Sequence, residues 1–216
     1  MLGSYWGRWP IVTLTLGVSA AAAVPPEGPA FRCSAAKGEV EQLICADTAL
    51  ATLDRQLDQV YRAALAKATG PLAPQLRQAQ RGWTKGRNEC WKAKGQTTWI
   101  TASWTVDTVR ACVEAQYRLR ISELQALWRL RPPSTRTYFC QGQAANELVV
   151  NAFDTDPRTL RIERGDQTRT LWQVGAPALG SFEGQNVSVT LQGDALKFSW
   201  LDTRSGQTDA LHCVAR

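Results

Sequence analysis

Between residues 47 and 128 apolar side chains return every three or four positions, and from residue 136 onward they alternate with polar ones. A helix brings side chains back to one face every 3.6 residues and a strand every two, so the chain changes secondary structure near residue 135. Leu50, Leu53, Leu57, Val60, Tyr61, Ala64 and Leu65 form a first helical stripe. Asp47 or Thr48 is placed to cap it and Gly70-Pro71 to end it. Leu72, Leu76, Ala79 and Trp83 form a second stripe, finishing near Cys90. Val106, Val109, Val113, Tyr117, Ile121, Leu124 and Trp128 form a third, stopped before Pro132-Pro133. Each stripe needs the others to cover it, which predicts a small helical bundle over residues 29–131.

The alternating region, 136–216, contains TYFCQG, ELVVNAF, TLRIERG, TRTLWQV, NVSVTLQG, ALKFSWLD and TDALHCVA, punctuated by Gly142, Gly165-Asp166, Gly184, Gly193-Asp194 and Gly206. Seven or so short antiparallel strands joined by tight turns predict a small barrel or sandwich. The fold class is therefore α+β in two domains. Residues 131–135, RPPST, make a short and stiff connector between them.

Ahead of the bundle, Arg8 is the only charge in the first 26 residues, and PIVTLTLGV at 10–18 is an apolar run too short to span a bilayer. With the alanines that follow, residues 1–23 have the form of a secretory signal peptide cleaved near Ala23, leaving no transmembrane segment in the mature chain. No cysteine closes the apolar run, which argues against lipid attachment there. The destination is the periplasm or the exterior.

Export makes disulfides the expected state of Cys33, Cys45, Cys90, Cys112, Cys140 and Cys213. Six cysteines allow fifteen pairings. Cys140 and Cys213 are the only two in the second region and bracket nearly all of it. Closing a loop of that length stabilises a fold by roughly 4 kcal/mol in the chain-entropy account. In the first region Cys33–Cys45 and Cys90–Cys112 are the preferred pairs, joining neighbouring elements. A zinc site is the competing arrangement, but there is no C-x-x-C pair and His212 is the single histidine.

Charge divides as the periodicity does. Residues 24–135 carry 16 Lys/Arg against 10 Asp/Glu, and residues 136–216 carry 8 against 9. The basic residues are dispersed along helices without forming a patch, which argues against nucleic acid as partner. A Ser-His-Asp site would rest on His212 alone, and no phosphate-binding glycine loop occurs, so neither an enzyme nor a cofactor site is expected.

The first region resembles the lysozyme inhibitor LprI family domain. The residues that carry the likeness are Glu41-x-x-Ile44-Cys45-x-Asp47, Leu50, Leu53-Asp54, Tyr61, Gln80-x-x-Trp83-x-x-x-Arg87-x-x-Cys90 and Tyr117-x-x-Arg120-Ile121-x-x-Leu124. The resemblance implies an exported, helical, disulfide-bonded domain. Asp54 and Arg87 read first as a capping or interhelical ion pair, and Tyr61, Trp83 and Tyr117 as core. WKAKGQTTWITASW, with Trp91, Trp99 and Trp104, is an aromatic and cationic stretch that could serve as a secondary contact surface or cover the bundle's open end.

The second region is similar to the C-type lysozyme inhibitor domain known as MliC. Tyr138-x-Cys140, Leu148-Val149-Val150, Phe153, Thr170-Leu171, Gly180-Ser181-Phe182, Gly193 and Cys213 carry that likeness. It implies an eight-stranded barrel that pushes a loop into the lysozyme cleft, where a Ser and a Lys meet the catalytic carboxylates. Two close carboxyl groups in a retaining glycosidase suit a lysine. In this chain Ala178 stands at the Ser position and Gln192 at the Lys position. Ser181, Phe182, Gln192 and Gly193 remain the lysozyme-contact candidates, and Lys197 lies on the following strand.

Together these features point to an exported lysozyme inhibitor acting by loop insertion, with C-type lysozyme as the expected partner. The alternative is a non-inhibitory envelope protein that binds an anionic polymer or another periplasmic protein through its basic helical region. C-type lysozymes are cationic, so charge steers them away from the helical region and is nearly neutral toward the second.

Overall fold

A computed structural model describes residues 28–95, 97–99, 105–201 and 205–216. The expected signal peptide and Trp104 lie outside the described residues. The α-helices among the described residues are α1 (Glu39–Ala46), α2 (Thr48–Lys67), α3 (Leu72–Asn88) and α4 (Val109–Leu127). Between α3 and α4, β1 (Thr98–Trp99) pairs with β2 (Thr105–Val106), so Val106 belongs to a small hairpin and not to the third helix.

Local chemistry sets the helix starts. The Asp47 carboxylate accepts from the N–H groups of Ala49 at 2.9 Å and Leu50 at 3.1 Å, capping α2 while ending α1. Glu41 reaches back to the N–H groups of Lys37 and Gly38, at 3.1 and 3.2 Å. Thr108 caps α4 through Ala111. These contacts satisfy donors that the first helical turn leaves without partners. The predicted stripes then meet in one core built on Ile44, Leu50, Leu57, Leu76, Val113, Tyr117 and Leu124.

From Ser134 the chain forms eight strands: β3 (Ser134–Cys140), β4 (Gln143–Phe153), β5 (Thr159–Arg164), β6 (Gln167–Gln173), β7 (Ser181–Gly184), β8 (Val187–Gln192), β9 (Ala195–Leu201) and β10 (Thr208–Ala215). They close as an antiparallel barrel in the order β10-β3-β4-β5-β6-β7-β8-β9. Leu148, Val150, Ile162, Leu171, Phe182, Val189, Leu196 and Phe198 fill it. The fold is thus α+β, a disulfide-stapled helical part followed by a closed barrel. The strand beyond the seven predicted is β7, whose four residues include Gly184. A Cβ there would lie 2.3 Å from the Thr170 carbonyl oxygen, so only glycine lets β7 approach β6.

All three preferred disulfides are present. Cys33–Cys45 ties the 3₁₀ turn at Cys33–Ala35 to α1, Cys90–Cys112 ties the end of α3 to α4, and Cys140–Cys213 joins directly paired positions of β3 and β10. The helical part also touches the barrel. The Trp172 indole donates to Ser122 Oγ at 3.1 Å, and Arg118, held by Glu114, pairs with Asp156.

Candidate functional site

Strand direction gathers the barrel's connections into two ends. Reading the register, the 154–158 turn, the 174–180 connection, the Gly193-Asp194 turn and the C-terminus of β10 share one end, which is also where the chain enters from the helices. The contact candidates fall on this rim. Ser181 pairs with Thr190, the Leu191 N–H donates to the Gly180 carbonyl at 2.9 Å, and Gln192 immediately precedes the β8–β9 turn. Gly180 has φ +59° and sits so close that a Cβ would meet the Leu191 carbonyl oxygen at 2.5 Å. Both backbone constraints require glycine. Two stretches eleven residues apart thereby become one edge.

On that edge Gln192 is exposed and Ser181 is half-buried. Phe182, expected at the contact surface, points inward with 2% exposure and belongs to the barrel core. Alternation explains the difference: Ser181 and Glu183 share one face of β7, and Phe182 takes the other. Leu179 is an apolar side chain on this rim, 60% exposed on a one-turn 3₁₀ segment. Its position in a Pro/Gly-bounded connection was the available signal. Arg136 pairs with Asp194 at 2.9 Å beside Gln192 and Gly193. Lys197 pairs across to Thr190 and His212 on the outer wall, away from the turn.

The secondary candidates separate. Trp91 is 50% exposed and lies against the Lys92 ammonium, 5.6 Å from ring centre to nitrogen. Trp99 lies on β1.

Within the helical part, Asp54, Arg87 and Tyr117 form a buried network. The Tyr117 hydroxyl donates to Asp54 at 2.7 Å and accepts from Arg87 at 2.6 Å. Asp54 also accepts from the Ala30 N–H at 2.7 Å, while Arg87 and Asp54 themselves are 3.8 Å apart. The expected ion pair is therefore bridged by a phenol. Burial drives the Tyr117 pKa well above the ordinary tyrosine range, with the neighbouring Asp54 charge acting in the same direction. Arg87 lies over the Trp83 and Tyr117 rings at 5.6 and 5.5 Å, and Trp83 meets Tyr117 edge-on. Asp54 and Arg87 of this network line a cleft of about 460 Å³ walled by Phe31, Tyr61 and Trp83. Among the described residues no three His, Cys, Asp or Glu side chains converge as metal ligands.

The motif residues quoted above thus include the helix caps Glu41 and Asp47, core side chains such as Ile44, Leu50 and Leu124, the disulfide-bonded Cys45 and Cys90, and the buried network. Residues 33–124 match the family described as Lysozyme inhibitor LprI. Proteins described as "Lipoprotein LprI" from Mycobacterium bovis and Mycobacterium tuberculosis are 31% identical over 170 residues, covering 74% of this chain and 78% of theirs. The chain belongs to the lysozyme inhibitor LprI family. An alignment covering 74% of 216 residues reaches past the helices into the barrel. No solved structure matches.

Proposed function

We propose that this chain is an exported, non-enzymatic lysozyme inhibitor, directed out of the cytoplasm by residues 1–23, whose barrel rim closes the glycosidase cleft. The observation that carries the reading is the joining of Leu179–Ser181 to Gln192–Gly193 through the Gly180–Leu191 contact, which holds an apolar side chain and an exposed amide on one edge. The barrel is the counterpart of the MliC-like domain, with the Gln192 amide donating where that family has a lysine. A neutral donor forms a weaker bond to a carboxylate than an ammonium does. Leu179 supplies the buried contact that the missing hydroxyl of Ala178 does not. Family membership and the "LprI" name of the mycobacterial relatives support lysozyme as the partner.

The test is a peptidoglycan-clearing assay with the oxidised chain against C-, G- and I-type lysozymes. Inhibition of the C-type enzyme is expected, and Gln192→Lys should lower the inhibition constant about tenfold by adding a charge-assisted bond. Leu179→Asp should raise it. Absence of inhibition of all three classes at micromolar excess would favour the envelope-protein reading, in which the basic helices and the exposed Trp91–Lys92 pair bind an anionic polymer.

A further inference from the structure

On the side of the helical part lined by α3 and α4, a groove of about 370 Å³ is bounded by Leu72, Leu76, Leu124, Leu127, Trp128 and Arg120. Leu72 and Leu127, at its edge, are 46% and 44% exposed. These are large apolar groups that a solvated helix pair has no reason to display side by side. The polar groups in the wall are asymmetric. Arg120 is 7% exposed; its Nε donates to Gln80 at 3.1 Å and its Nη1 to Glu123 at 2.7 Å. Its Nη2 has no acceptor among the described residues, and neither does the buried indole Nε1 of Trp128. Buried donors left in this way cost free energy until an acceptor arrives.

We propose that this groove binds a single acyl chain bearing a carboxylate, a fatty acid. The leucines take the tail, and Arg120 and Trp128, whose unpaired N–H groups are enclosed in this structure, turn them toward the carboxylate, whose oxygens accept without donating. Arg120 contributes the charge that selects an anion over a neutral or cationic head. Glu123 opposes it from the groove wall, 32% exposed at its side chain, so solvent weakens that repulsion. The volume lies at the small end of ligand sites, which suits one chain and no larger body. The groove shares no residue with the barrel rim, so fatty-acid binding stands apart from lysozyme inhibition.

The experiment is a titration of the ¹⁵N-labelled, oxidised full chain with decanoate below its micelle concentration, following indole and guanidinium resonances. Trp128→Phe identifies the indole signal. Saturable movement of the Trp128 Hε1 and Arg120 Nε signals is expected, with decanol and decyltrimethylammonium binding at least about tenfold more weakly. Leu127→Asp, an exposed position that leaves the fold intact, should weaken decanoate about tenfold through lost apolar contact. Glu123→Gln should tighten decanoate without affecting decanol. No saturable shift with decanoate, equal affinity for the three head groups, or unchanged affinity in Leu127→Asp or Glu123→Gln would each overturn the proposal.

Discussion

Arg87 and Asp54 share one phenol hydroxyl, that of Tyr117, and neither can leave without stranding the other. Arg87→Met would keep the aliphatic packing against Trp83 but leave the Asp54 carboxylate facing Tyr117 with no compensating cation. Breaking a buried charge pair from one side costs several kcal/mol, so a loss of about 3 kcal/mol is expected in urea denaturation. Tyr117→Phe removes the bridge and leaves two buried groups short of a partner, at about 2 kcal/mol. A smaller loss from Arg87→Met than from Tyr117→Phe would show that the guanidinium is held by Asn88 and not by the network, since Asn88 Oδ1 also accepts from Arg87 Nε and Nη2.

Helix caps carry the pH dependence expected at the level of elements. The pKa of Asp47 is lowered chiefly by the Leu50 N–H and further by Arg110, and that of Glu41 by the Gly38 and Lys37 N–H groups. Arg118 and then Arg110 lower Glu114. Because the folded values lie below the unfolded ones, their stabilisation is complete above the ordinary carboxylate range and is lost as pH falls through the folded values. The melting temperature should therefore decline below about pH 4. Asp47→Asn should flatten part of that decline, and Asp47→Ala should cost about 1 kcal/mol at neutral pH. Gly184→Ala should be worse, at about 3 kcal/mol, because the added methyl meets backbone. Thermal denaturation followed by circular dichroism measures all three. The same elements mark how far the sequence could be read. The long helices were visible because seven or so apolar positions repeat in each of α2 and α4. The short α1 was not, since eight residues give two turns and their stability comes from Cys33–Cys45 and Glu41. In β7 the glycine that permits pairing is also a residue that argues against a strand. The rim's composition was legible at Gly180 and Gly193, whereas the inward direction of Phe182 depended on a register that only the closed sheet sets.

For the molecule as a whole, the helical part and the barrel meet through Trp172–Ser122, Arg118–Asp156 and an Arg129–Glu163 pair at 3.6 Å. Within the helical part, Lys67 donates to the Trp128 and Arg129 carbonyls at 3.1 and 2.8 Å, which ties the end of α2 to the end of α4, where the chain leaves for the barrel. We propose that residues 29–131 and 136–216 are two domains docked firmly enough to melt together. A single calorimetric transition is expected, and Trp172→Phe combined with Arg118→Ala should divide it into two. A double variant that still melts in one step would mean that the Arg129–Glu163 pair and the 131–135 connector suffice. The oxidised chain, with all three disulfides formed, is the form to which these measurements apply.

The last strand ends where inhibition is proposed to occur. The Ala215 N–H donates to the Asp194 carbonyl at 2.8 Å, and the Arg216 N–H to Thr137 at 3.1 Å, so the backbone leaves the barrel beside the Gly193-Asp194 turn. Anything joined after Arg216, whether an affinity tag, a fluorescent reporter or a surface anchor, emerges over that edge and competes for the same space as a lysozyme. Immobilising the chain by this terminus would hide the rim while leaving the acyl groove open. The orientation in which it is tethered thus becomes a way of telling the two surfaces apart.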